Sequence, residues 1–67
     1  MTAGQTIKQI RRKQKITQLE LANRLQLTQS ALSHYESDKR KISIDLIKHI
    51  TTALGITMND FFATMDS

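Results

Sequence analysis

The sequence predicts an all-α fold, and three observations support that class. The 67 residues include no proline, no valine and only two glycines. No Asn-Gly or Asp-Gly pair indicates a β-hairpin. Apolar residues recur three and four positions apart, which is the period of an amphipathic helix. Because a chain of this length has room for one core, we expect a single domain over residues 1–67.

Five hydroxyl side chains mark where the helices begin, since a Ser or Thr oxygen can accept a hydrogen bond from the free N–H groups of a first helical turn. These predicted N-caps are Thr2, Thr17, Thr28, Ser43 and Thr57. Three of them have a capping-box partner three positions later, namely Gln5, Glu20 and Asp60. Four caps also lie between the two apolar residues of a hydrophobic staple. The staple pairs are Ile16–Leu21, Leu27–Leu32, Ile42–Ile47 and Ile56–Phe61.

These signals define five helices and one core. The helices are predicted near residues 3–14, 18–25, 29–37, 44–54 and 58–65. Gly55 follows the fourth helix, where a left-handed cap is favoured. The predicted core consists of Ile7, Ile10, Ile16, Leu21, Ala22, Leu25, Leu27, Leu32, Tyr35, Ile44, Ile47, Ile50, Leu54, Ile56 and Phe61.

The net charge of +4 is unevenly distributed along the chain. Residues 1–41 hold nine basic and three acidic side chains, whereas residues 42–67 hold one basic and three acidic. A basic first part and a mildly acidic second part suggest one surface that binds a polyanion. The alternative is a solvated surface with an accidental skew of charge.

Several classes of function are not expected from this composition. Without cysteine there can be no disulfide, and oligomerisation is the expected support for so small a core. His34 and His49 lie 15 positions apart with no third ligand nearby in sequence, so no metal site is predicted. The carboxylates form no recognisable acid–base pair, and no cofactor motif occurs. We therefore expect neither an enzyme nor a bound cofactor.

The chain also lacks the sequence features of a membrane protein. No apolar run approaches the roughly 20 residues of a spanning helix. The first residues do not resemble a signal peptide. A cytoplasmic location is the expectation.

The segment 18–37, QLELANRLQLTQSALSHYES, has the form of a helix-turn-helix. Its two helices are joined by only three residues, Gln26-Leu27-Thr28, and Ala22 falls where they would cross closely. With IKQIRRKQKITQLELANRL, TQSALSHYE and ITTALGITMNDFF, the chain resembles the Cro/C1-type helix-turn-helix family, which includes restriction-modification controller proteins. The resemblance covers nearly the whole chain. It implies a five-helix bundle of the lambda-repressor type and a DNA-binding regulator.

Three positions depart from the family pattern. The family usually has glycine where Gln26 stands, because this turn residue prefers a positive φ, and a non-glycine there costs about 1 kcal/mol. It favours glycine near Asp38 and proline near Ile42. Asp tolerates left-handed geometry, so Asp38 is a mild change. None of these positions is expected to be a binding group, and the departures concern stability more than function.

The third helix is predicted to contact DNA bases. Gln29, Ser30, Ser33 and His34 fall on one face at helical spacing. All four are hydrogen-bonding side chains without a formal charge, as suits the edges of bases, and the methyl group of Ala31 could touch a thymine. The alternative for this face is a polar, solvated surface, and Ala31 could simply fill the helix.

Phosphate contacts are expected around this face. Lys39, Arg40 and Lys41 follow the third helix directly, and Ser37 lies at its end. Gln18 is the first residue of the second helix, where an anion is favoured. The Thr17 hydroxyl could also contact a phosphate, although its main role is to cap this helix. The resemblance implies that Gln18 spans from a phosphate to Gln29. The further cations Lys8, Arg12, Lys13 and Lys15 are interpreted as a general positive field.

The resemblance also implies a partly buried ion pair between Arg11 and Glu36, which would fix the angle of the third helix. The alternative for either residue is an exposed surface charge.

The last helix carries an apolar stripe at positions i, i+3, i+4 and i+7. Such a stripe usually belongs to the core, as we expect for Phe61. Because so small a domain cannot easily bury the whole stripe, Met58, Phe62 and Met65 are predicted to form a homodimer contact within residues 56–67.

The function predicted from the sequence is a transcriptional regulator, most simply a repressor, that binds a palindromic double-stranded DNA site as a homodimer. One alternative is a protein-interaction module of the same fold, similar to an antirepressor or antitoxin. Another is a nucleic-acid binder without sequence preference.

Overall fold

The computed structural model describes all 67 residues and consists of five α-helices with no strand. The helices are α1 (Ala3–Lys13), α2 (Gln18–Leu25), α3 (Gln29–Glu36), α4 (Ile44–Leu54) and α5 (Met58–Asp66). The all-α prediction is therefore confirmed. Three helix ends differ from the prediction by one residue. Helices α1 and α3 stop before Gln14 and Ser37, whose ψ angles are near zero, and α5 extends to Asp66.

The predicted caps begin the five helices. Thr2, Thr17, Thr28, Ser43 and Thr57 each accept a hydrogen bond from the backbone N–H three residues later. The three predicted capping boxes have both of their reciprocal hydrogen bonds. Gly55 has the expected left-handed conformation, with φ of 70°. Lys15 also has a positive φ, which the sequence did not indicate.

The core is formed by eleven buried apolar residues that all five helices or their connections supply. They are Ile7, Ile10, Ile16, Leu21, Ala22, Leu25, Leu32, Ile47, Ile50, Leu54 and Phe61. Leu27 and Ile56 are half-buried and pack against this cluster. The prediction was wrong for Ile44, which is 57% exposed: it is the first residue of α4, and the buried part of that helix begins one turn later, at Ile47. Tyr35 is also outside the core; it is half-buried, and its ring packs against the guanidinium of Arg40.

The packing of the helices leaves one face of α3 uncovered. Helix α3 packs against α1 and α2. In addition, α2 packs against α4, and α1 packs against α4 and α5. Leu32 and Glu36 are the buried residues of α3, and its remaining residues are exposed or half-buried. None of the five helices has the length and apolar character needed to cross a membrane.

Candidate nucleic-acid interface

The short turn between α2 and α3 fixes how the two helices meet. Gln26 adopts the left-handed conformation, with φ of 57° and ψ of 37°, at the position where the resembled family has glycine. The Leu27 N–H donates to the Ala22 carbonyl oxygen at 2.9 Å, and Ala22 is completely buried. The Thr28 hydroxyl then accepts from the Ala31 N–H at 3.1 Å and begins α3. A turn of three residues thus sets the angle between the two helices.

The outer face of α3 carries hydrogen-bonding groups and no formal charge. Gln29 and Ser30 are exposed, while Ala31, Ser33 and His34 are half-buried. Ser37 is exposed just beyond the helix, where its hydroxyl donates to the His34 carbonyl oxygen at 3.3 Å. Gln29 and Ser30 are therefore the residues of this face that are most accessible to a ligand.

A buried ion pair lies directly beneath this face. Arg11 Nε donates to Glu36 Oε2 at 2.7 Å, and Arg11 Nη2 donates to Glu36 Oε1 at 3.1 Å, so the pair is bidentate. Arg11 Nη1 also donates to the Ile16 carbonyl oxygen at 2.9 Å. The side chains are 10% and 3% exposed. The pair implied by the resemblance is thus present, and it joins α1 to the last turn of α3.

Gln18 connects this ion pair to the exposed face. Its Nε2 donates to Glu36 Oε1 at 3.1 Å, and its Oε1 lies 3.5 Å from Gln29 Nε2. Because a carboxylate can only accept hydrogen bonds, the amide nitrogen of Gln18 must face Glu36 and its oxygen must face Gln29. Gln29 therefore presents its nitrogen to Gln18, and its own oxygen stays available for a ligand.

The cations that follow α3 lie in a segment without helix or strand. Lys39, Arg40 and Lys41 are all exposed. The N–H groups of Lys39 and Arg40 both donate to the His34 carbonyl oxygen, at 2.9 and 3.3 Å, and the Arg40 guanidinium lies 5.5 Å from the centre of the Tyr35 ring. None of the three cations forms an ion pair, so their charges are available to an anion.

A contact that the sequence did not reveal joins the beginning of α1 to the end of α3. The Asp38 carboxylate accepts from the Thr2 hydroxyl at 2.5 Å and from the Gly4 N–H at 3.2 Å. A Cβ atom on Gly4 would lie 2.3 Å from the Tyr35 carbonyl oxygen, so only glycine fits there. These groups are more than 30 positions apart, and periodicity and capping patterns have no signal at that separation. Only the left-handed geometry of Asp38, with φ of 62°, was anticipated.

The other predicted positions have local roles in the structure. Thr17 caps α2, and its hydroxyl accepts from the Glu20 N–H at 3.1 Å. Met58 and Phe62 are half-buried and pack against the core, and Met65 is half-buried farther along α5. The structure contains no group of three or more His, Asp or Glu side chains that could hold a metal ion.

Comparisons with known proteins agree with this geometry. A family model described as helix-turn-helix matches residues 7–61. The immunity repressor protein of Bacillus phage phi105 is 39% identical over 59 residues, which are 88% of this chain and 41% of the repressor. The chain thus spans less than half the length of that relative.

Two solved structures are similar in fold. The clp gene regulator ClgR of Corynebacterium glutamicum has a TM-score of 0.90 and 23% identity, with 96% of this chain and 83% of that chain covered. The wild-type restriction-modification controller protein C.Esp1396I has a TM-score of 0.87 and 26% identity, with 96% and 82% covered.

A short turn, a buried α2–α3 contact and an exposed α3 face define a helix-turn-helix domain. The match over residues 7–61 shows that the chain belongs to the helix-turn-helix family, of the Cro/C1 type that the sequence resembles.

Proposed function

We propose that the protein is a sequence-specific repressor in the cytoplasm that binds double-stranded DNA as a homodimer, with α3 in the major groove. The observation that carries this proposal is the uncharged, hydrogen-bonding outer face of α3, with Gln29 and Ser30 exposed and the unpaired cations Lys39–Lys41 beside it. A face that bound a protein partner would be expected to expose aromatic or aliphatic side chains instead. The relative in phage phi105 is itself named as a repressor.

Gln29 is the strongest candidate for reading a base. An adenine offers a donor and an acceptor side by side in the major groove, and a glutamine amide can bind both. Gln29 Nε2 has two N–H groups, and the bond toward Gln18 uses only one of them. The second N–H and the Oε1 oxygen remain for the base. Ser30, Ala31, Ser33 and His34 would supply the further base contacts from the same face.

The phosphate contacts would come from groups around that face. Lys39, Arg40 and Lys41 would follow one strand of the backbone, with Ser37 beside them. Gln18 and Thr17 lie at the N-terminus of α2, where free N–H groups and the helix dipole favour an anion. Contacts of this kind release counterions, and they provide affinity for any sequence.

Substitution of Gln29 and Lys39 is expected to separate the two roles. The Gln29→Ala variant should lose about 1–3 kcal/mol of discrimination at one base pair. The Lys39→Ala variant should weaken binding to all duplexes alike and reduce the slope of log affinity against log salt by about one. Selection of bound sites from random duplexes, followed by titration at two salt concentrations, measures both effects.

The exposed lysine of α4 provides a matched control for that experiment. Lys48→Ala removes the same charge from a position outside the proposed interface, so its salt slope should stay at the wild-type value. Binding that ignores sequence in the wild-type protein would point to a non-specific binder. No binding to any duplex would point to a protein-interaction module.

The homodimer is proposed from α5. Met58, Phe62 and Met65 stay only half-buried in the single chain, in the part of the sequence without excess positive charge. A two-fold axis through this stripe would repeat it on both copies. The two α3 helices should then lie about 34 Å apart, one turn of DNA, on a palindromic operator.

Sedimentation at micromolar concentration tests the dimer. The wild-type protein should sediment as a dimer, and Met65→Glu should shift it toward the monomer, because the new charge would be desolvated at the interface. Ala63→Glu introduces the same charge at an exposed position of α5 and should remain dimeric. A wild-type protein that is monomeric both free and on DNA would contradict the proposal.

A further inference from the structure

The segment that carries Lys39, Arg40 and Lys41 connects α3 to α4. Residues 37–43 contain no helix or strand, and the next helix begins at Ile44. Its backbone is tied to α3 by the bonds of Lys39 and Arg40 to the His34 carbonyl oxygen. At its far end Ile42 packs against the core and Ser43 caps α4. Its only side-chain hydrogen bonds to α1 are made by Asp38, which precedes the cations directly.

Both oxygens of the Asp38 carboxylate are used in that connection. Oδ2 accepts from the Thr2 hydroxyl and Oδ1 accepts from the Gly4 N–H, which is one of the free donors at the start of α1. A negative charge is also stabilised at this end of a helix by the helix dipole. The two bonds, which we call the Asp38 contact, therefore hold the start of the cationic segment against α1.

The direction of this carboxylate also matters for an anionic ligand. Asp38 is adjacent in sequence to three cations that are proposed to face phosphates. An unpartnered carboxylate at that point would repel the DNA backbone. In the structure its charge faces the N-terminus of α1, and the neighbouring cations have no acidic partner.

We infer that Asp38 is a positioning residue for DNA binding, which fixes the path of Lys39–Lys41 by holding the end of α3 to the start of α1. This role rests on the proposed function. Removal of an acidic residue ordinarily increases the affinity of a protein for DNA. The positioning role predicts the opposite, because loss of the Asp38 contact should lower the affinity for DNA.

The Asp38→Gly variant tests this role, because glycine accepts the left-handed backbone without strain and removes the carboxylate. One lost phosphate contact corresponds to a change of about 0.9 in the salt slope and, at 0.1 M salt, to about eightfold in affinity. We expect a loss of that size on the selected duplex. Asp45→Asn, which removes the same charge at an exposed position outside the contact, should bind as well as the wild type or slightly better.

Hydrogen exchange gives a readout that does not depend on DNA. The amides of Lys39 and Arg40 should exchange faster in Asp38→Gly, while those in the middle of α2 should keep their wild-type rates. Asp38→Asn keeps the shape of the residue and one acceptor oxygen, so it should show the same changes to a smaller degree. This second variant covers the case in which Asp38→Gly does not fold.

The outcomes separate this inference from the proposed function. If the wild type binds its selected duplex and the Asp38 variants bind it as Asp45→Asn does, the positioning role is wrong and the proposed function stands. Unchanged exchange at Lys39 and Arg40 would also overturn the role. A wild type that selects no duplex would overturn the proposed function, and the exchange rates would still show whether Asp38 orders the segment.

Discussion

Replacement of Arg11 by alanine is expected to lower the free energy of unfolding by about 3–5 kcal/mol, because it leaves the Glu36 carboxylate buried without its cation. Glu36 is 5% exposed, and of its three hydrogen bonds two come from Arg11. The Ile16 carbonyl oxygen would lose a donor as well. Urea denaturation followed by circular dichroism measures the change.

That loss is large for a domain of this size. At about 0.05–0.15 kcal/mol per residue, 67 residues have a total stability of roughly 3–10 kcal/mol. Much of the Arg11→Ala protein should therefore be unfolded at 25 °C if the wild type is at the lower end of that range. DNA binding would then be lost through unfolding, before any change in sequence preference.

Two further variants make the Arg11 experiment specific. Arg12→Ala removes the neighbouring cation, which is exposed and unpaired, and should change stability by less than about 0.5 kcal/mol. The double variant Arg11→Met with Glu36→Leu removes both charges and should recover much of the lost stability. If Arg11→Ala kept the wild-type melting temperature and lost only affinity for DNA, Arg11 would be a phosphate ligand rather than a structural residue.

Replacement of Gly4 by alanine is the second large effect that we expect. The added Cβ would lie 2.3 Å from the Tyr35 carbonyl oxygen and 2.9 Å from the Glu36 carbonyl oxygen, both of which are backbone atoms at the end of α3. Alanine is the better helix former, so the clash must exceed that gain. We expect a net loss of about 2–3 kcal/mol, because α1 and α3 must move apart.

Gly55 provides the matched control for Gly4. It also lies at a helix terminus, but apart from its chain neighbours no heavy atom is within 4 Å of its Cβ position, and its φ is 70°. Gly55→Ala should therefore cost only about 1–2 kcal/mol of left-handed strain. Thermal unfolding of the two variants under one set of conditions compares them. An increase in melting temperature for Gly4→Ala would mean that α1 can shift without cost, and it would contradict the tight approach.

Most of the fold could be predicted because its signals are local. The start of α2 is an example: the cap Thr17, its capping-box partner Glu20 and the staple pair around them lie within a few residues. Each helix start can therefore be predicted from a short stretch of sequence. Ile44 shows the limit of the pattern. It continues the helical spacing of Ile47 and Ile50, yet it is exposed, because periodicity does not indicate how far along a helix the neighbouring helices reach.

The candidate site was predictable to a smaller extent. The face that carries Gln29 follows from helical spacing alone. The Arg11–Glu36 pair came from the family resemblance, since no local pattern joins residues 25 positions apart. The Asp38 contact was missed because it depends on the angle between α1 and α3, which is a property of the assembled core.

The division of α3 into two faces has a consequence for how such regulators diversify. Leu32 and Glu36 hold the helix in place, whereas Ser30 is exposed and contributes nothing to the core. Under the proposed function, a duplicated gene could acquire a new set of target promoters by a few substitutions at exposed positions of this helix. Its product would fold as before, so two such proteins could coexist in one cell and control separate genes.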